Sequence, residues 1–180
     1  MAGTEADPAA NQREIVLRDG TRARVRPVVP ADADLLRAAL AELSPRSQQS
    51  RFLAPVSTLT DAQLRALVDV DGVNHVALGV SAPLDGPDER PIAVGRIIRY
   101  PDDPTTADLA ITVADAWQRQ GVGAALAQLL AENRPAGVQS IRTMILASNV
   151  AALNLAARMG RVTRTPAGGG ALDIDIRPFT

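Results

Sequence analysis

The chain has 180 residues, 46% of them hydrophobic and 22% charged, with a formal net charge of −1; this is the profile of a single globular domain, and the absence of a basic stripe argues against a nucleic-acid partner. Aromatic residues make up 2%, there is no cysteine, and there is one histidine, which excludes disulfides, thiolate or His-rich metal sites, and recognition by stacked bases. No apolar run reaches the ~18–20 residues a membrane span needs, and Met1 to Asn11 lacks the basic start and apolar stretch of a signal peptide, so no membrane contact and a cytoplasmic location are expected.

Residues 1–13 read as a disordered tail, and 14–180 as one domain without repeats or an internal linker. Thr21 to Arg26 alternates as a strand, and the Asp19-Gly20 turn before it predicts a hairpin with residues 14–18. Asp32 and Asp34 supply negative charge to the first turn of a helix carrying Leu35, Leu36, Ala39, Leu40 and Leu43 at helical spacing. Ser44-Pro45 starts a second helical piece that ends near Pro55. Thr60-Asp61-Ala62-Gln63 is a capping box, with Leu64, Leu67 and Val68 as the buried stripe behind it. Residues 75–81 and 92–100 read as strands around a polar turn from Pro83 to Pro91. In a third strand Leu109, Ile111 and Val113 take one face, and Asp108, Ala110 and Thr112 the other. A glycine-containing segment leads into a helix with Val122, Leu126, Leu129 and Leu130 on one side, which Gly137 closes. Residues 140–147 form a strand. Asn149 caps a helix over 150–159, with Gly160 as its C′ residue. A hairpin of 161–165 and 171–176 ends the chain. The order predicts a mixed α/β (α+β) domain with a largely antiparallel sheet and one β-α-β-α unit.

Chemistry concentrates in Gln118-Arg119-Gln120-Gly121-Val122-Gly123, between a strand and a helix. Glycine lets the backbone turn tightly and approach a ligand, and the helix start presents unpaired N–H groups and partial positive charge to an anion. There is no Gly-Lys-Ser/Thr and only two glycines at this spacing, so neither a P-loop nor a dinucleotide fingerprint is present. The other reading of Gly121 and Gly123 is helix packing alone.

With Gln-x-x-Gly-x-Gly at 118–123, the preceding strand Ala107 to Val113, and Asn149-Val-Ala-Ala-Leu-Asn-Leu-Ala-Ala-Arg-Met-Gly160, the chain resembles the GNAT superfamily of N-acetyltransferases over residues 15 to 165. It looks most like the catalytic domain of bacterial, especially actinobacterial, protein lysine acetyltransferases, which share Leu-Arg-Asp-Gly-Thr at 17–21, Arg-Pro at 26–27, Leu-Ser-Pro at 43–45, Arg-Phe-Leu at 51–53 and Asp-Ala-Trp-Gln at 115–118. The resemblance implies the GNAT fold, a mostly antiparallel central sheet splayed at an acyl-CoA slot and flanked by helices. It implies acetyl-CoA as cofactor, with no metal. Backbone amides of Gln118, Arg119, Gln120, Gly121, Val122, Gly123 and Ala124 would hold the pyrophosphate. Ile111, Thr112 and Val113 would bond the pantetheine arm as an added strand, beside a bulge and a splay from strand 140–147. Asn149 and Ala152, at the next helix start, would bond it from the other side.

The implied reaction is attack of an amine on the acetyl thioester within a ternary complex. A lysine ammonium has an ordinary pKa of ~10.4, so a base must take its proton. Asp108 is the candidate, where the subfamily has a glutamate; being one methylene shorter, it reaches the amine directly or through a water. The other reading of Asp108 is a solvated residue after the acidic turn Asp102-Asp103-Pro104. Ile111 N–H is the expected oxyanion donor. Where many relatives place a tyrosine to protonate the leaving thiolate, this chain has Ala156, and its one tyrosine, Tyr100, lies elsewhere in the sequence. Solvent would then protonate the thiolate, or it would leave unprotonated. Arg51, Phe52 and His75 are substrate-cleft candidates, with core packing as the other reading of Phe52. Trp117 is expected to pack the loop onto the helix. The acceptor is a protein lysine or a small-molecule amine. A third reading is a non-catalytic acyl-CoA-binding regulatory module. Lysine acetyltransferases of this kind are often fused to a regulatory domain, for which this chain is too short, so it reads as standalone or as an isolated piece. Monomer and homodimer both remain open.

Overall fold

In this computed structural model, which describes residues 12–52, 59–83 and 89–179, the chain opens with the hairpin that Asp19-Gly20 predicts. Strands β1 (Arg13–Val16) and β2 (Arg22–Pro27) pair antiparallel. Arg13 therefore belongs to the sheet rather than to the tail, whose residues 1–11 lie outside the described residues. A short 3₁₀ turn (Pro30–Asp32) leads into helix α1 (Ala33–Ala41). Asp32 serves the turn more than the helix: its carboxylate accepts two bonds from the Arg26 guanidinium, at 2.7 and 2.8 Å, and one from Val29 N–H. Helices α2 (Pro45–Phe52) and α3 (Asp61–Val68) follow. The capping box forms as read: Thr60 Oγ1 accepts from Gln63 N–H at 3.2 Å, and Thr60 N–H donates to Gln63 Oε1 at 2.9 Å.

Strands β3 (His75–Pro83), β4 (Glu89–Tyr100) and β5 (Asp103–Val113) form an antiparallel meander. The polar turn is narrower than its sequence reads, because both flanking strands extend into it; residues 84–88 lie outside the described residues. The acidic turn is shorter too. Asp103 already belongs to β5, which puts Asp108 in mid-strand rather than at a solvated turn end.

After a 3₁₀ turn (Asp115–Trp117), helix α4 (Val122–Glu132) crosses over to β6 (Ser140–Leu146). Asn133 ends α4, its Nδ2 donating to Leu129 O at 2.7 Å, and Gly137 lies in the turn beyond. Helix α5 (Val150–Met159) starts at Asn149, whose Oδ1 accepts from Ala152 N–H at 3.1 Å. Strands β7 (Gly160–Gly168) and β8 (Ala171–Pro178) close the described chain. Gly160 is no left-handed cap: its φ of 176° is extended backbone. Glycine is needed there because a Cβ would collide with the Arg177 carbonyl.

The eight described strands form one sheet in the order β1-β2-β3-β4-β5-β6-β8-β7. Only β5 and β6 are parallel, the pairing that a helical crossover requires. One face packs on α4 and α5 through Ile97, Leu109, Leu126, Leu130, Ile141 and Ile174, each under a tenth exposed. The other face, over β2 to β4, is covered by α1 and α3 through Leu36, Leu64, Val68 and Ala77. That same face stays open over β6, β8 and β7, where Arg142, Asp173 and Arg177 are exposed. No described helix is long and apolar enough to cross a membrane.

Candidate active site

The sheet forks at Asp108. Strands β5 and β6 share only three registers, Thr106 with Ser140, Ala107 with Ile141, and Asp108 with Arg142, and then part. Backbone groups alternate sides along a strand. Thr105 O accepts from Gln139 N–H at 2.7 Å and Leu109 O from Thr143 Oγ1 at 2.9 Å, so odd-numbered residues of β5 face β6. Ala114 N–H donates to Ile92 O at 2.8 Å, so even-numbered ones face β4. Ile111 and Val113 therefore turn their amides and carbonyls into the gap. Thr112 departs from the expected set: its backbone faces β4, opposite Val94, and its Oγ1 is buried without a partner among the described residues. The splay is present, but the expected bulge is not at the gap. The register break of β5 falls on its β4 side, at Arg99 and Tyr100.

The glycine segment lies at the mouth of the fork. Arg119 has φ 65° and Gly121 φ 95°, and Gly121 is the N-cap of α4 with no side chain bonding the helix start. The first helical donor is Ala125 N–H, to Gly121 O at 3.1 Å, so the amides of Val122, Gly123 and Ala124 lie ahead of the ladder. Arg18 ties the loop from behind: its N–H donates to Gln120 O at 3.0 Å and its Nη1 to Arg119 O at 3.1 Å. In a trans peptide the carbonyl and the following amide point opposite ways, so the Gln120 and Gly121 amides face away from Arg18. The result is a row of forward-facing N–H groups at a helix N-terminus, which suits an anionic phosphate group. Across the gap, Asn149 Oδ1 and the Ala152 amide are bonded to each other, leaving Asn149 Nδ2 as the group on offer.

A hydrogen-bond cluster joins this loop to α2. Asp115 accepts from Ser44 N–H at 2.9 Å, Ser44 Oγ at 2.8 Å and Ser47 Oγ at 2.7 Å. Gln118 Nε2 donates to Ser47 Oγ at 3.0 Å and to Val113 O at 3.3 Å. Trp117 packs against the core cluster that includes Val122 and Leu126 of α4, as expected.

Asp108 is half-buried on the face opposite Leu109, and burial raises its carboxyl above the usual range. Arg51, the Leu109 amide and Arg96 pull the other way. Arg96, 4% exposed, donates to Leu67 O at 2.9 Å. Burial lowers its guanidinium to about 10, with Arg51 acting in the same sense and Asp108 against. Arg51, in the last turn of α2, is likewise lowered by burial and held up by Asp108. Tyr100 is raised by burial and by the Asp108 charge. Arg96 and Tyr100 are the members the sequence reading passed over. The signal was available: Arg96, Ile98 and Tyr100 alternate with buried Ile97, and Ile98 registers with Asp108. Two cleft candidates fare differently from Arg51. His75 is buried at the start of β3, its Nδ1–H donating to Asp69 O at 2.9 Å, and it does not line the groove described below. Its Nε2 is buried without a partner among the described residues. Phe52 ends α2, and its side chain lies outside the described residues.

A groove of about 1240 Å³ covers the open face of β6, β8 and β7, lined by Asp108 and Tyr100 on one side, by Arg161 and Arg177 on the other, and by Met144 and Asp173. No group of three or more His, Asp or Glu suited to a metal occurs among the described residues.

Comparison with known proteins agrees with this architecture. The family model described as "Acetyltransferase (GNAT) family" matches residues 41–160. The chain is 30% identical over 166 residues to acetyltransferase Pat of Mycolicibacterium smegmatis, covering 91% of this chain and 49% of that protein, so it spans about half the length of that relative. Among solved structures it resembles the GNAT domain of S. lividans PAT, with TM-score 0.80 and 28% identity over 96% of this chain and 99% of that one. It also resembles a cAMP-binding acyltransferase from Mycobacterium smegmatis, with TM-score 0.61 and 26% identity over 94% and 49% respectively.

Proposed function

The chain belongs to the GNAT family of acetyltransferases, and within it we propose that this enzyme moves an acetyl group from acetyl-CoA to a protein lysine, by direct attack in a ternary complex. The family is one of acyl-CoA-dependent N-acyltransferases. The observation that carries the finer reading is the position of Asp108, a half-buried carboxylate at the fork of β5 and β6 and at the head of a groove long enough for an extended segment.

Forward-facing amides from Gln120 to Ala124 hold the pyrophosphate, and Ile111 and Val113 bond the pantetheine arm through backbone groups turned into the gap. Asn149 Nδ2 meets that arm from the far side. When bound, acetyl-CoA supplies an activated thioester carbonyl at the fork. Asp108 takes the proton of the lysine ammonium, directly or through one water. Arg51 and Arg96 favour the ionised carboxylate against the burial that opposes it. The Ile111 N–H, turned into the gap, would donate to the thioester carbonyl oxygen and stabilise negative charge there. Helix α5 offers no acid for the leaving thiolate, since Ala156 is buried in the core; solvent protonates it.

Thiol release with a lysine peptide tests the reading. Asp108→Asn should lower kcat by ~10²-fold or more while KM for acetyl-CoA moves by less than about threefold. Turnover unchanged by that substitution between about pH 6 and 9 would remove Asp108 from the mechanism. Turnover of small amines and of no peptide would point to a small-molecule acceptor. Coenzyme A binding without turnover of any amine would point to a non-catalytic module.

A further inference from the structure

The open groove is polarised in charge, and its far end is incomplete as it stands. Arg161 on β7 and Arg177 on β8 occupy directly opposed register positions, and both line the groove. Opposed residues stand roughly 5 Å apart at Cβ, a spacing at which like charges repel. Neither guanidinium has a hydrogen bond or ion pair among the described residues. The acid nearest in register, Asp175, is already engaged: Ser140 Oγ donates to its Oδ1 at 2.8 Å and Arg142 Nε to its Oδ2 at 3.2 Å. Protection of a sheet edge by charge explains Arg161, since β7 is the last strand. It does not explain Arg177, because β8 lies between β6 and β7. Across the groove from the arginines lies Asp108, beside Tyr100; the Asp108 and Asp173 charges raise the Tyr100 hydroxyl and Arg142 lowers it.

We propose that Arg161 and Arg177 form a subsite for an acidic side chain of the acceptor, so that the enzyme selects lysines flanked by Asp or Glu. This rests on the reading of the acceptor as an extended protein segment. The ammonium lies at Asp108, and the carboxylate at the arginine pair. Arg177 is two strands across from Asp108 and two residues along, on the order of 12 Å between Cα atoms at ordinary sheet spacing. An extended segment covers that in about three or four residues. A neutral middle, the Arg142–Asp175 pair, separates the two ends. The pair of arginines thus gains from the acceptor the countercharge it lacks within the chain.

The test uses lysine peptides that differ only at the positions three and four residues from the lysine, on either side, carrying Glu, Ala or Arg. Wild-type kcat/KM should favour Glu over Arg by about fivefold or more, the upper range of an exposed ion pair. The double substitution Arg161→Glu and Arg177→Glu should reverse that order, with thermal melting and acetyl-CoA affinity reporting that the protein is folded. Equal kcat/KM across the series in the wild type, or a Glu preference that survives the double substitution, would overturn the subsite and leave lysine acetylation standing. Wild-type turnover of Nα-acetyl-lysine amide with none of any peptide would overturn the protein-acceptor reading, and the subsite with it.

Discussion

Asp108 shows how one carboxylate can be placed by alternation and tuned by neighbours the local sequence does not mention. Its face follows from period-two patterning around Leu109 and Ile111. Its partners do not, because Arg51 comes from a helix and Arg96 from the adjacent strand, 57 and 12 residues away in sequence (108 − 51; 108 − 96). Register between strands is a tertiary property, which is also why the sequence alone does not bring Tyr100 near Asp108, whereas the pairing of Ile98 with Asp108 does. The tuning has a consequence for stability. Burial raises the folded pKa of Asp108 above its unfolded value, so the fold favours the protonated form. The stability linked to this group is fully present below the ordinary aspartate range, near pH 3.9, and is lost as pH rises through the raised value. Asp108→Asn lacks that loss. Urea midpoints of the wild type should therefore fall relative to the variant as pH rises above the ordinary aspartate range. A difference between the two that does not change with pH would mean that the fold does not disfavour the charge.

Elements were more legible than their joints. All five described α-helices follow from caps and spacing, and α3 and α5 begin on the side-chain bonds that Thr60 and Asn149 predict. Strand ends were less certain, since β3, β4 and β5 all run further than their hydrophobic alternation does. The place of β8 between β6 and β7 was invisible, because an alternating pattern says which face is buried but not which strand is the neighbour. The same blindness hid the joint between α2 and the glycine loop. Leu-Ser-Pro at 43–45 and Asp-Ala-Trp-Gln at 115–118 are separate phrases in sequence, yet Asp115 binds both Ser44 and Ser47. The bonds lower the Asp115 carboxyl, the Ser44 amide first among them. One end of α2 is thereby fixed to the loop, while its other end sets Arg51 beside Asp108. Asp115→Ala should cost about 1–2 kcal/mol of stability, as loss of a helix-capping group does. It should also raise KM for both acetyl-CoA and acceptor, while Asp115→Asn, which keeps one acceptor oxygen, should recover part of each. A loss of stability with both KM values unchanged would leave Asp115 as a cap and nothing more.

At the scale of the whole molecule, the sheet is two blocks that meet in three register pairs. Strands β1 to β5 form one block and β6, β8 and β7 the other, joined at Thr106 to Asp108 and bridged by α4 and α5 beneath. A gap in a sheet exposes backbone groups that would otherwise be paired, and Ile111 and Val113 carry such groups along the gap. A ligand arm that pairs with them restores the missing ladder without moving either block. Two consequences follow, and the second separates this picture from a ligand resting on a closed surface. Acetyl-CoA at about one hundred times its Kd should stabilise the fold by about 2.7 kcal/mol, as for any ligand of the native state. More specifically, hydrogen exchange should be fast at the Ile111 and Val113 amides in the free protein and slow in the complex, while the Thr112 amide, paired to β4, is protected in both. Equal protection of all three before ligand is added would mean that the gap is closed in solution, and the backbone account of cofactor binding would have to be abandoned.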